Sequence, residues 1–206
     1  MGLLLFPPAL RGLRLSRRRA LSGVSVAVLC LLLPGISAAE DVSVPVGLQV
    51  KLLAKVAAYD RNMEERAGSK VRVLVLQAKD DANSERIAQR IVSALEREPK
   101  IAGREHSRSR RDYAGAKQLI KAISDESFDV VYVTPGLEDE IAGIRKALSG
   151  LDVLSVSAVA SHVPDGIVLG FDLSGGKPKL QVNLTQAKEQ NVAFNSSLLK
   201  LAKVYR

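Results

Sequence analysis

Three short apolar runs constrain this chain more than any other feature. Val71-Arg72-Val73-Leu74-Val75-Leu76, Phe128-Asp129-Val130-Val131-Tyr132-Val133 and Val153-Leu154-Ser155-Val156 are rich in β-branched residues and leave no polar face for water. Runs of this kind are strands covered on both sides, as in a parallel sheet. The segments between them have helical spacing. After the first, Asp80-Asp81-Ala82-Asn83-Ser84 supplies a turn and a helix cap, and Ile87, Ile91, Val92, Ala94 and Leu95 form a buried stripe. Residues 113–124 are helical with Ala116, Leu119, Ile120 and Ile123 inward, and Thr134-Pro135-Gly136 opens a further helix to Leu148, with Thr134 as cap and Pro135 as its first residue. Residues 100–109 hold too many arginines (Arg104, Arg108, with Arg110 and Arg111 next) to be covered twice, and read as a strand at a sheet edge.

At the C-terminal end, Val168, Phe171 and Leu173 precede Ser174-Gly175-Gly176-Lys177-Pro178, and Leu180, Val182 and Leu184 then alternate with polar residues, which is a hairpin. From Phe194 onward Leu198, Leu201, Ala202 and Tyr205 fall three or four apart, predicting a closing helix. At the other end Leu48, Leu52, Val56, Tyr59 and Met63 keep helical spacing up to Gly68. Together these elements predict one three-layer α/β domain: a mainly parallel central sheet, helices on both faces, right-handed crossovers, and a C-terminal antiparallel hairpin plus a final helix.

Residues 1–39 read as a signal peptide: a basic segment, an apolar run from Val24 to Leu33, and small residues before a cleavage point after Ala39. The run is shorter than the roughly 20 residues that span a bilayer, and Ser16-Arg17-Arg18-Arg19 leaves general and twin-arginine export both open. Residues 40–206 would then be an exported, periplasmic domain without cysteine, since Cys30 lies in the leader. The net charge of +8 also shrinks: five arginines precede residue 40, and removing them from 30 basic residues leaves 25 against 22 acidic ones, near +3. That balance calls for no nucleic acid.

Ligands in such sheets sit beyond the C-terminal strand ends, which makes Asp80, Thr134 and Ser157 the candidate crevice. Asp80-Asp81 lacks the third aspartate that a phospho-accepting site needs, as Thr134-Pro135 follows the second strand. His106 and His162 have no metal-ligand spacing and read as solvated; the serines lie outside any Gly-x-Ser-x-Gly elbow, and Gly175-Gly176 joins two strands rather than opening a phosphate-binding helix. No catalytic constellation, metal site or cofactor motif emerges. The arginines from Arg104 to Arg111 either grip an anion or form a solvated edge that blocks aggregation.

The segment LQVNLTQAKEQNVAFNSSLLKLAKV, with Asn183, Leu184, Ser196, Ser197, Leu198, Leu199, Leu201 and Ala202, resembles the closing signature of the YfiR family of small periplasmic proteins, in which a strand ending in Asn-Leu runs into a helix. LDVLSVSA at 151–158 and the helix at 48–60 resemble other parts of that family, although the common Trp-Pro after the first helix is replaced here by Tyr59-Asp60-Arg61. The resemblance implies a regulator rather than an enzyme. Its partner would be the periplasmic part of an inner-membrane diguanylate cyclase, repressed to control cyclic di-GMP and biofilm formation, or of a sensor histidine kinase; a homodimer stays open. The family's disulfides have no cysteines here to form them. For a partner face on the first helix the apolar candidates are Leu48, Leu52 and Tyr59, against the alternative that they pack on the domain's own sheet. A single-lobed small-molecule binder using Asp80, Thr134 and Ser157 is the competing function.

Overall fold

The computed structural model describes residues 42–206, so the expected leader and its cleavage point lie outside the described residues. One seven-stranded sheet organises them, in the order β2-β1-β3-β4-β5-β6-β7. Its strands are β1 (Lys70–Gln77), β2 (Glu105–Asp112), β3 (Val130–Val133), β4 (Leu154–Ser157), β5 (Leu169–Ser174), β6 (Lys177–Asn183) and β7 (Lys203–Tyr205). The first five pair in parallel, β6 returns antiparallel to β5, and β7 lies parallel to β6. The predicted α/β class is therefore what the chain adopts.

Alternation along the central strands makes two cores. Val71, Val73 and Val75 of β1, with Val130 and Tyr132 of β3, join the cluster that covers α1 (Val46–Val56), α2 (Met63–Ala67) and α3 (Ala82–Arg97). Leu74, Leu76, Val131 and Val133 point the other way, towards α4 (Ala116–Glu126) and α5 (Ile141–Leu148). Helix α3 begins where expected: the Asp81 carboxylate accepts from the Ser84 amide at 2.7 Å, and Ile87, Ile91, Ala94 and Leu95 are buried. In the hairpin, Gly175 and Gly176 take φ of 58° and 74°, the left-handed pair that a tight two-residue turn requires. Gly170 has another task, since a Cβ there would meet Val163 Cγ2 of α6 (His162–Asp165) at 2.4 Å.

Several expected details differ. The closing helix is a single turn, α8 (Ser196–Leu199), after which the chain straightens into β7, leaving Leu201 66% exposed instead of buried. The first helix does not run on to Gly68; it tightens into a 3-10 turn at Ala57–Tyr59 and resumes as α2. Its buried side is Val46, Gln49, Val50, Leu53, Ala54 and Val56, so the apolar stripe is rotated from the expected one. Ile120 is also outward at 40% exposure. Thr134 and Pro135 are not a helix start, because the next helical turn begins at Glu138.

The β2 edge is basic but not free. Arg108 and Arg110 pair with Glu96 and Glu85 of α3 at 2.9 and 3.8 Å, Arg111 pairs with Glu126 of α4, and Arg104 with Glu64 of α2 at 3.0 Å. With their charges matched, these arginines make a blocked edge rather than an anion grip. Such exposed pairs stabilise by only about 0–1 kcal/mol each.

Candidate functional site

The crevice residues sit at three depths. Asp80, with φ of 59°, borders an open cleft of about 410 Å³ together with Gln77, Asp81, Glu85 and Asp112. Thr134 and Ser157 lie beneath the surface, each 0% exposed. The Thr134 hydroxyl donates to the Leu76 carbonyl at 3.0 Å and lies 2.6 Å from Ser84 Oγ, which accepts from the Ala78 amide at 2.8 Å. These bonds tie the ends of β1 and β3 to the first turn of α3. Ser157 Oγ accepts from the Val159 amide at 3.0 Å and shares a 2.8 Å bond with His162 Nδ1. His162 is thus 1% exposed, not solvated, and its Nε2 lies 3.6 Å from Glu138 Oε1. Serine, histidine and glutamate do meet here, which the sequence spacing did not reveal. The serine hydroxyl is sealed from any substrate and held by the backbone, so the trio braces the β4–α6 turn instead of presenting a nucleophile. No cluster of three or more His, Cys, Asp or Glu side chains suited to a metal ion occurs among the described residues.

Helix α1 has two unlike sides. On the inner one, Gln49 is fully buried and donates from Nε2 to the carbonyls of Val44 (2.8 Å) and Ala158 (3.1 Å), while its Oε1 accepts from Tyr132 Oη at 2.6 Å. Burial raises the Tyr132 phenol well above its ordinary range, so it stays a donor. On the outer side Leu48 and Tyr59 are 37% and 42% exposed, Leu52 is half-buried, and Lys51 and Lys55 stand between them in solvent. Of the three apolar candidates, Leu48 on α1 and Tyr59 at the end of the 3-10 turn face outward, whereas Leu52 packs partly against the core.

The far end of this outer side is clasped to the C-terminal segment. Asp60 Oδ2 accepts from Arg66 Nη1 at 2.7 Å with both side chains buried, and Arg66 Nε donates to Asp152 at 2.7 Å. Asp60 Oδ1 accepts from the Ala193 amide at 2.8 Å, Arg61 N donates to the Ala193 carbonyl, and Asn195 N donates to the Tyr59 carbonyl at 3.0 Å.

A family model described as YfiR/HmsC-like matches residues 47–203, nearly all of this domain. The chain belongs to the YfiR/HmsC-like family. Proteins of this family are periplasmic regulators associated with cyclic di-GMP signalling rather than enzymes. Part of the family-like signature now has a structural reason: Asn183 caps α7 (Leu184–Glu189) by accepting from the Gln186 amide at 2.9 Å, and Asn195 caps α8 by accepting from Leu198 N at 3.0 Å.

No curated protein is significantly similar to this YfiR/HmsC-like chain. In fold it is similar to a conserved domain protein from Vibrio cholerae, with 14% identity and a TM-score of 0.56 over 79% of this chain and 60% of that one. It is also similar to an ABC domain in complex with L-Trp from Streptococcus pneumonia, with 12% identity and a TM-score of 0.55 over 79% of this chain and 62% of the other. A third is CD0873, a substrate binding protein with adhesive properties from Clostridium difficile, with 14% identity, a TM-score of 0.54 and coverage of 79% and 60%. The chain spans about 60% of the length of these solved structures. No helix of the described residues is long and apolar enough to cross a membrane.

Proposed function

We propose that this chain is a periplasmic repressor that binds the periplasmic part of a membrane diguanylate cyclase and holds it inactive until released. Family membership over residues 47–203 is the observation that carries the reading. Mechanistically, repression needs only a higher affinity for the inactive state of the cyclase than for the active one. Exposed Leu48 and Tyr59, with partly buried Leu52 between them, would supply an apolar contact surface along α1 and its 3-10 extension, anchored from behind by Gln49. The N-terminal segment would be an export signal cleaved near Ala39. Co-expressing the full chain with each membrane cyclase of its host, and measuring cyclic di-GMP, tests this directly. The expected result is a lowered level with one cyclase and recovery with Leu48→Glu plus Tyr59→Glu; unchanged levels with every cyclase would sink the reading, and a changed output from a sensor kinase would move it to that partner.

A second reading, a single-lobed small-molecule binder, draws on the open cleft at Asp80. Its carboxylates suit a cationic or polar ligand, whereas the hydroxyls of Thr134 and Ser157 are spent on internal bonds. A ligand screen by thermal shift, repeated with Asp80→Asn, distinguishes the two: a stabilising compound lost with the variant supports binding at this cleft.

A further inference from the structure

The outer side of α1 continues into a groove shared with α3. Two adjoining clefts of about 270 and 330 Å³ lie along it, and Gly47 and Arg97 border both. Leu48 and Lys51 line the first and Arg90 the second. Among the described residues no carboxylate pairs with Lys51, Lys55, Arg90 or Arg97. This is not a general excess of charge. Helix α3 divides its charges by flank: Glu85 and Glu96 turn to Arg110 and Arg108 of β2, while Arg90 and Arg97 turn to α1. The stretch from Val42 to Tyr59 has no acidic residue, and among the described residues Glu98 is the one acid bordering either cleft. The groove also has room, since a Cβ built on Gly47 meets nothing within 4 Å.

Unpaired cations flanking an apolar floor are complementary to carboxylates interspersed with apolar side chains. We propose that the α1–α3 groove receives an acidic, apolar-bearing segment of the repressed membrane protein, with carboxylates at Lys51, Arg90 and Arg97 and an apolar side chain beside Leu48. This deepens the repressor reading and rests on it for the identity of the partner. A lipid surface fits less well: the cations line a concavity between two helices, and the exposed apolar side chains are too few for an interfacial helix face.

The test uses the full chain, purified as its host processes it, and two probes. One is a short synthetic peptide of Glu-Glu-Leu repeats followed by fluorescence anisotropy, with a Lys-Lys-Leu peptide as control. The other is membranes carrying a cyclase that the chain represses, with cyclic di-GMP synthesis as the readout. The groove variant carries Lys51→Glu, Arg90→Glu and Arg97→Glu; a matched variant on the opposite face carries Lys117→Glu, Lys121→Glu and Lys146→Glu. The groove variant should weaken acidic-peptide binding and repression by about ten-fold or more, with the matched variant within about two-fold of the parent chain. Gly47→Glu, which fills the groove and sets a carboxylate four residues before Lys51 and beside Arg97, should act in the same direction. Repression undiminished by the groove variant overturns the groove while leaving the repressor intact. If no cyclase is repressed, the repressor reading fails and peptide binding alone decides the groove. Failure to bind the acidic peptide, or groove-dependent binding to phosphatidylglycerol vesicles without it, overturns the proposal.

Discussion

The strand-end crevice and the outer face of α1 are both places where the sequence allows a partner to bind, yet their side chains are committed very differently. At the crevice, Thr134, Ser84, Ser157 and His162 are buried and bonded to one another or to the backbone. On α1 and the 3-10 turn that follows it, Leu48, Lys51, Lys55 and Tyr59 reach solvent. Polar side chains at the carboxyl ends of strands in an α/β sheet are therefore not by themselves a ligand site. Where their bonds close internally they are the glue of the turn, and the uncommitted surface lies elsewhere.

The contrast is sharpest across α1 itself, so the largest effect is expected from its inner side. Gln49→Leu strands the carbonyls of Val44 and Ala158 and the Tyr132 hydroxyl, and should cost about 3–5 kcal/mol in a urea titration. Tyr132→Phe, leaving only Gln49 Oε1 short of a donor, should cost about 1–3 kcal/mol. Thr134→Val at the crevice should cost a similar amount, about 1–3 kcal/mol, with repression unchanged once the folded fraction is matched. Loss of repression at full folding would break the comparison.

A smaller effect comes from pH. At the far end of β3, Asp129 accepts from the Arg72 amide at 2.7 Å, but burial outweighs that bond and the Arg72 charge and raises its carboxyl above the ordinary range. Between about 3.9, the unfolded value, and the raised folded one, the native state keeps a proton that the unfolded chain releases. Stability from this group is therefore present below that window and lost as pH rises through it. Asp129→Asn should flatten this part of a melting-temperature profile against pH; a slope that persists in the variant assigns it to another group. The smallest effect on stability is expected on the outer face, where Leu48→Glu and Tyr59→Glu should stay within about 0.5 kcal/mol of the parent. A large loss of stability would mean that these side chains pack on the domain after all.

What could be read from the sequence follows from which forces leave a pattern. The runs at β1, β3 and β4, the Asp81 cap and the glycine turn were legible because burial and positive φ select residue types directly. The phase of α1 was not, since Gln49 is buried through hydrogen bonds to Val44, Ala158 and Tyr132, and hydropathy counts such a residue as exposed. The break at Ala57–Tyr59 then separates two residues that helical spacing puts on one side, leaving Tyr59 exposed and Met63 buried. Spacing at Leu198, Leu201, Ala202 and Tyr205 mimicked a helix, but pairing with β6 draws the last of these residues into a strand. His162 looked solvated because its partner, Ser157, is brought near by a turn that spacing does not disclose. The groove cations were hidden for a similar reason, as only the pairing of Glu85 and Glu96 with β2 shows which arginines of α3 remain uncommitted.

The clasp between the α1–α2 bend and the C-terminal segment has a dynamic consequence. The Asn62 amide reaches Asn191 across a separation of 129 residues, and Asp60, Arg61 and Tyr59 bond to residues 193–195 over a similar span. Stretches linked this way open as one unit. Amides on both sides of the clasp should exchange their hydrogens at a common rate, and Arg66→Ala should speed both together. An event at Tyr59 would then register both in the segment leading into the last strand and, through Arg66–Asp152, at the entry to β4.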